Sequence, residues 1–558
     1  MAYAITQTCC NDASCVSVCP VNCIHPTPGE PDFGTTEMLY IDPHSCIDCG
    51  ACADACPVDA VLPLDQLQGS NEVYADLNRQ YFENRSVDSS WDEPRFPRHI
   101  PRSDRAPRVA IIGTGPAGSY AAESILRSTH AEVTMIDRLP VAGGLVRFGV
   151  APDHPSTKRV GDGFSWLYQH PRLRMHMNVE VGEDVEHAEV AAHHDAVVYA
   201  VGPAGDRNLG VSGEELPGSV SAMSFVAWYN AHPDVDAAEV ELTGSRAVVV
   251  GNGNVALDVA RILLTDPDEL AETDIADHAL AALRRSEIRE VVLLARRGPE
   301  HAAYTRPEFL ALSHLSGVRL VVDDHPRVRD SIANAEPGSK TALLRDVDVE
   351  DVDWDAPPPE GKRIVLRFLS SPSEFTGDDR VRAVRVAENR ASPSAEGSDV
   401  DPEVREIPAG LVVRSIGARN RPVAGLPFDD ELATVPHDGG RVRDPSTGRS
   451  IPGAYVTGWI KRGPQGGIGA NRSCSDETVD AIIGDARDGR LPAPSGTAKE
   501  FARLVRRRKP EAVGRREMLS IDRSERERGD RMRRPRVKFA TVPEMLRASR
   551  GVLARRKK

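Results

Sequence analysis

Val109-Ala110-Ile111-Ile112-Gly113-Thr114-Gly115-Pro116-Ala117-Gly118 sets the fold of most of this chain. A short apolar run ends in a glycine-rich turn, and Ser119 to Ser128 follow with a helical pattern. The next apolar run, Val133-Thr134-Met135-Ile136, completes a β-α-β unit, which implies a parallel, doubly wound sheet. Gly113 permits the tight turn. Gly115 lets the backbone approach a pyrophosphate, and Gly118 lets helix and strand pack closely. The helix N-terminus turns its partial positive charge toward the phosphates. Asp137 ends the second strand, where a carboxylate accepts ribose hydroxyls and repels a 2′-phosphate. The site therefore suits FAD or NAD.

A second unit of the same kind starts at Ala247 to Val250. Its turn is Gly251-x-Gly253-x-x-Ala256, and its next strand, Val291 to Ala295, ends in Arg296-Arg297. Two guanidinium groups at that place fit a 2′-phosphate by bidentate charge-assisted bonds, so this site suits NADP. One glycine fingerprint is weak evidence, because glycine turns are common. Two in context, one followed by an acid and one by paired arginines, are strong. The bland alternative for Arg296 and Arg297 is a solvated strand end.

Ahead of both units lie two cysteine runs on one ruler. The second is Cys46-x2-Cys49-x2-Cys52-x3-Cys56-Pro57. The first is Cys9-x2-Asp12-x2-Cys15-x3-Cys19-Pro20, with Asp12 at a cysteine position. This is the ligand spacing of a two-cluster iron–sulfur ferredoxin, in which the cysteine before proline serves the other cluster. Cys46, Cys49, Cys52 and Cys19 are expected to hold one [4Fe–4S] cluster, and Cys9, Cys15 and Cys56 the second. A carboxylate grips iron less firmly than a thiolate in a sulfur-rich site. The second cluster is thus [3Fe–4S], or [4Fe–4S] with a labile Asp12-ligated iron. Zinc would call for other spacings, and a disulfide framework for an oxidising compartment. Cys10, Cys23 and Cys474 fall off the ruler and are expected to be structural thiols.

The chain has 558 residues, enough for three or four domains, and a net charge of −14. It contains no apolar run long enough to span a membrane, and reduced-cysteine chemistry without a signal peptide points to the cytoplasm. The first 78 residues lack lysine and arginine but carry eleven acids, a one-sign surface suited to docking on a basic face. From Phe501 to Lys558 the balance reverses, with 21 basic and 7 acidic residues. Phe501 and Phe539 alone are too few aromatics for base stacking. Self-association or a solvated helical tail therefore ranks above nucleic-acid binding. Residues 79–106, rich in Arg, Pro and Ser, are expected to be a linker, and the Pro- and Asp-rich stretches between about 335 and 405 to be loops.

Four longer stretches carry a resemblance: Gly143 to Pro155, Gly251 to Arg261, Arg296-Arg297-Gly298-Pro299, and Gly458-Trp459-Ile460-Lys461-Arg462-Gly463-Pro464. Over about residues 107–490 the chain resembles ferredoxin–NADP reductases of the adrenodoxin-reductase type. With its cysteine runs it resembles two-domain ferredoxin/ferredoxin–NADP reductases. The resemblance implies an α+β ferredoxin domain (1–78) followed by α/β two-dinucleotide-binding, Rossmann-like FAD and NADP domains. FAD would take 107–210 with 410–490, NADP 211–409, and 491–558 would be a basic helical extension. It brings Pro116, Ala117, Leu145 and Val181 to the FAD site beside the fingerprint glycines. Asn252, Asn254, Val255 and Arg207 come to the NADP site. Trp459 stands where many two-dinucleotide flavoproteins carry Asp, and Gly466, Gly467 and Ile468 match the stretch that meets the isoalloxazine. His154 and Glu308 fall near the flavin–nicotinamide junction as positioning and proton-balancing groups. Gln465-Gly466-Gly467 departs from the frequent Thr-Gly-Val, and the second glycine should loosen that loop.

NADPH gives two electrons as a hydride while iron–sulfur clusters take one at a time, so FAD is the needed converter. The geometric task is to hold the nicotinamide C4 within about 3–3.5 Å of flavin N5. The external acceptor is expected to be a redox protein such as a ferredoxin or a cytochrome P450 system. Two rivals stand beside this: the NADPH-oxidising subunit of a larger synthase, and an iron–sulfur redox sensor. A stable large partner would favour the first, and absence of rapid NADPH-dependent cytochrome c reduction the second.

Overall fold

The computed structural model describes residues 2–83, 85, 100, 105–203, 205–389 and 404–550, and the backbone alone at 551–555. Two short antiparallel ribbons build the N-terminal unit: Tyr3–Ile5 with Val61–Pro63, and Ile24–His25 with Tyr40–Ile41. Asn78 ties them together from the helix Val73–Glu83. Its Oδ1 accepts from the amides of Ile5 (3.1 Å) and Ile41 (2.8 Å). This helix corrects the expected linker start, because residues 79–83 continue an amphipathic turn whose Tyr81 stacks on Tyr40. Residues 86–99 and 101–104 of the expected linker lie outside the described residues.

The first nucleotide domain holds a seven-stranded sheet. Its parallel part runs Ser450–Val456, Ala196–Tyr199, Arg108–Ile112, Glu132–Asp137, Leu173–Met177. The second domain holds another seven strands, all parallel, including Arg246–Val250 and Glu290–Leu294 beside each other. Strands buried on both faces read as continuous apolar runs, which is why both fingerprints were visible. Leu411–Arg414 pairs with Arg246–Val250, so the second domain runs past the expected boundary at 409/410. The Pro- and Asp-rich stretch Trp354 to Gly361 is irregular, as expected, and beyond it Ser370–Thr376, Ala383–Glu388 and Val404–Pro408 form an antiparallel meander. Its inward residues Phe375, Val384, Val386 and Ile407 cover one face of the second sheet. Gly205–Asp206 and Ala418–Arg419 cross between the domains as an antiparallel ribbon.

The C-terminal residues are helical: Ala498–Arg508, Arg515–Met532 and Val542–Arg555. They are not a solvated tail. Phe501, Leu504 and Val505 form an i, i+3, i+4 stripe buried against the first nucleotide domain. Val513 exchanges both backbone bonds with Met177, at 2.8 and 2.9 Å. The charge excess was misleading because charges of this segment pair with the nucleotide domains: its buried Glu525 is held by Arg147 of the first, and its Arg534 reaches Asp277 of the second. Among the described residues, no helix is long and apolar enough to cross a membrane.

Candidate functional site

The first glycine loop is closed by contacts that admit no side chain. A Cβ on Gly113 would lie 2.6 Å from the Ala200 carbonyl oxygen, and one on Gly118 would lie 2.1 Å from that of Gly113. Gly115 is different: its nearest neighbour is the Cα of Gly144 at 3.8 Å, so its face stays open for a pyrophosphate. Pro116 and Ala117 open the helix Pro116–Ser128 behind it. Asp137 braces the loop, accepting from the Thr114 amide (2.8 Å), the Thr114 hydroxyl (2.6 Å) and the Leu139 amide (2.9 Å). Leu145 begins the short helix Leu145–Phe148, and Val181 follows the strand that lies next to Asp137's own.

The second loop repeats the first. Gly251 has φ +123°, and a Cβ there would meet the Ser415 carbonyl at 2.2 Å. Gly253 is open, with nothing nearer than Ala303 Cβ at 3.8 Å. The asparagines support the neighbouring chain: Asn252 accepts from the Ala303 amide and Asn254 from the Thr305 amide, at 3.3 and 2.8 Å. That fixes the start of the helix Arg306–Ser313, which carries Glu308. Val255 is exposed at the mouth. Arg296 and Arg297 are exposed at the end of the next strand, and neither guanidinium has an intramolecular partner among the described residues. Arg207 is exposed on the crossing ribbon, its amide bonded to Gly417.

The two domains meet at a charged cluster. Ring nitrogen and carboxylate oxygens of His154, Asp258 and Glu308 lie within 4.8 Å of one another. Arg261 clamps across the junction, donating to Asp153 of the first domain (2.8 and 3.1 Å) and to Asp258 (2.7 Å). Glu308 Oε2 is buried without a hydrogen-bond partner. Burial and the neighbouring Asp258 charge push its pKa up, against the opposing pull of His154 and Arg261. Burial raises Asp258 as well. Two acids that both resist ionisation make this a place to hold a proton.

Trp459 stands at the start of a one-turn helix. Its Nε1 donates to the Gly466 carbonyl at 3.3 Å, and the Gly467 carbonyl accepts from Asn471 at 3.1 Å. The loop expected to be loosened by its second glycine is thus braced at both. Cys474 is buried, its sulfur accepting from the Gly458 amide.

The cysteines separate into two groups. Cys19, Cys46, Cys49 and Cys52 line one small apolar cavity, which carries Cys19 across to the second run as the ligand pattern requires. Cys23, expected to be a structural thiol, lines the same cavity with its sulfur 3.4 Å from that of Cys19. Cys9, Cys15 and Cys56 gather separately around Asp12, close enough for their charges to act on one another. Burial pushes the Cys9 and Cys52 thiols up to about 11, so thiolate there is to be drawn out by a bound cation. The residues fit two iron–sulfur clusters.

The acidic unit sits on basic residues of both nucleotide domains. Asp12 pairs with Arg472 (3.2 Å), Glu37 with Arg306 (2.9 Å) and Lys340 (3.3 Å), and Asp59 with Arg159. Backbone meets backbone at Gly469, whose amide donates to the Cys10 carbonyl at 2.9 Å. A Cβ there would strike the Asn11 backbone at 2.2 Å. Sequence reasoning missed Gly469, Arg472, Arg261 and Asp258. Gly469 directly follows the Gly466–Ile468 stretch, and only that adjacency pointed to it.

Comparison with known proteins agrees with this geometry. Residues 39–62, which contain Cys46 to Cys56, match the 4Fe-4S binding domain family, and residues 107–297 match the pyridine nucleotide-disulphide oxidoreductase family. The chain is 48% identical to a probable ferredoxin/ferredoxin–NADP reductase of Mycobacterium tuberculosis, over 98% of this chain and 95% of that one. It is 43% identical to the NADPH-ferredoxin reductase FprA of the same organism, over 79% of this chain and 99% of the relative. The solved structure of that FprA in complex with NADPH superposes with a TM-score of 0.72, covering 80% of this chain and all of FprA.

Proposed function

This chain belongs to the ferredoxin/ferredoxin–NADP reductase family and is an oxidoreductase of that kind, and from that premise we propose how its residues divide the work. When bound, FAD takes the hydride of NADPH and releases electrons one at a time to iron–sulfur clusters. Gly113, Gly115 and Gly118 seat the FAD pyrophosphate on the helix opened by Pro116 and Ala117. Asp137 holds the loop and meets the ribose. Leu145 and Val181 wall the cofactor, while Trp459 and the Gly466–Ile468 loop pack against the flavin ring.

Gly253 and the helix after it take the NADPH pyrophosphate. Arg296, Arg297 and Arg207 are the cations for its charged groups, and the unpaired guanidiniums of the first two are free for a 2′-phosphate. Asn252 and Asn254 set the Glu308 helix. Arg261 holds the two domains face to face through Asp153. Glu308 keeps a proton next to His154, so charge at the junction is balanced without either group entering the hydride step.

Two clusters are held by the two cysteine groups. We favour [3Fe–4S] for the Cys9, Cys15 and Cys56 group, because the Asp12 carboxylate is engaged by Arg472 and by the Ser14 amide and hydroxyl. The observation that carries the whole proposal is the seating of Cys10 on Gly469, one residue beyond the flavin loop. Stopped-flow mixing with NADPH tests it. Flavin absorbance should bleach first and iron–sulfur absorbance after it, and an iron–sulfur phase absent within the turnover time would refute it.

A further inference from the structure

Resting on the proposed flavin-to-cluster transfer, we infer that the two cysteine groups stand in series, and that the exposed face around Ile47 is where a basic-rimmed, one-electron acceptor protein docks. The group of Cys9, Cys15 and Cys56 is the inner one. Cys9 reaches the flavin loop through a single residue step and one hydrogen bond, Cys10 to Gly469. The group of Cys19, Cys46, Cys49 and Cys52 is the outer one. Among the described residues, those lining its cavity all come from the N-terminal unit, between Tyr3 and Cys52.

The outer group opens to solvent in a way the inner one does not. Cys49 is exposed, and Ile47 beside it is 58% exposed. Val18, next to Cys19, is 40% exposed. An isoleucine so exposed between two cluster ligands contributes nothing to the core, but it fits the apolar centre of a transient interface. Its rim is acidic. Asp48 and Asp54 both act on Tyr3 at the cavity wall, and Asp54 has no ion-pair partner among the described residues. No lysine or arginine occurs before Arg79. The inward acids Asp12, Glu37 and Asp59 are already paired with the nucleotide domains. The exposed Asp48 and Asp54 beside Ile47 steer a partner whose own rim is basic.

The electron count closes. One NADPH is oxidised to NADP+ with release of one proton, and two acceptor molecules are each reduced by one electron. Each electron passes the inner group, then the outer group, then leaves at Ile47.

Two variants of the full-length holoprotein test this, with mitochondrial cytochrome c as the basic acceptor. In Ile47→Lys/Asp54→Lys, NADPH should bleach the flavin as before, while cytochrome c reduction falls at least about tenfold and loses most of its salt dependence. In Cys49→Ser the iron–sulfur absorbance that remains belongs to the inner group, and NADPH should still bleach it while cytochrome c reduction is lost. Cytochrome c reduction at the unmodified rate in the double variant would overturn the docking face. Loss of NADPH bleaching of the remaining cluster in Cys49→Ser would overturn the order. Failure of NADPH to bleach the iron–sulfur absorbance of the unmodified protein, read before any acceptor is added, would instead refute the underlying transfer.

Discussion

Arg472, on the helix Ala470–Arg487, donates through Nη1 to the carboxylate of Asp12 at 3.2 Å, across 460 residues of sequence. The same guanidinium bonds Ser14 Oγ at 2.7 Å. The aspartate in the cysteine ruler is therefore also a docking residue. Asp12→Cys should supply the missing thiolate and complete a cubane, raising the iron content by about one atom per chain. EPR of the oxidised protein checks it: the near-isotropic signal of a three-iron cluster should be present in the unmodified protein and absent in the variant. Arg472→Gln should keep the signal, since it removes no ligand.

Gly469 marks the contact through which the N-terminal unit meets the flavin loop. A methyl group there would overlap the Asn11 carbonyl carbon at 2.2 Å, and neither backbone can yield as a flexible side chain would. Gly469→Ala should push the inner cysteine group away. Flavin reduction by NADPH should survive, and reduction of the iron–sulfur centres should slow by about tenfold or more, since a misplacement of about 1 Å already costs orders of magnitude in aligned reactions. Stopped-flow spectra that resolve the two phases separate these effects.

The parts of the site visible in the sequence are those whose chemistry is local. Gly113 to Gly118 and Gly251 to Ala256 each confine strand, turn and helix to a dozen residues, and the cysteine ruler encodes two ligand sets in fixed spacings. What was hidden depends on distant chain. Arg261 looked like one more basic residue of a helix until Asp153 was seen 108 residues away. The meander of Ser370 to Pro408 was masked by its prolines and by edge strands with exposed, charged outer faces. The C-terminal helices looked solvated because composition does not show which of their charges are buried, Glu525, held by Arg147 of the first domain, foremost among them.

Arg296 and Arg297 are exposed and, among the described residues, unpaired at the end of the strand Glu290–Leu294. Removing both takes away the charge that a 2′-phosphate needs and leaves the fold untouched. Arg296→Ala/Arg297→Ala should raise KM for NADPH by about 10- to 100-fold, which is 1.4 to 2.8 kcal/mol, with little change in kcat. NADH, which carries no 2′-phosphate, should be used as well as before. Steady-state kinetics with both nucleotides decide it, and an equal loss for both would exclude the arginines as phosphate ligands.

His194 is 1% exposed, bonded to the Val190 carbonyl (2.8 Å) and Thr134 Oγ1 (3.1 Å), with Phe501 of the C-terminal helices edge-on to its ring. Burial lowers its pKa to about 4 from the ordinary 6.5. The unfolded chain then binds a proton that the folded one refuses. Stability from this group is fully present above about pH 6.5 and is lost as pH falls toward 4. Between pH 7 and 5 that amounts to about 2 kcal/mol. His194→Asn should lower stability at pH 7 but show a pH dependence flatter by that amount, measured by urea unfolding at both pH values.

Asp274 is a buried carboxylate shared by two lysines. Lys158 from the FAD domain reaches it at 2.7 Å and Lys538 from the C-terminal segment at 2.9 Å, and both amines also bond Asn230 Oδ1, at 2.8 and 2.9 Å. Lys538 is fully buried, and burial drives its pKa well down; burial lowers that of Lys158 too. One acid from the NADP domain thus joins the FAD domain to the last segment of chain. Asp274→Asn leaves two buried amines facing each other without a counter-charge. It should cost about 3–5 kcal/mol, the range for breaking a buried pair from one side. Lys538→Met removes one cation and keeps the Lys158 pair, so it should cost much less. Thermal unfolding of the two holoproteins orders them. An Asp274→Asn protein as stable as Lys538→Met would mean that the lysines shed their protons instead, and that the join between domains rests on packing alone.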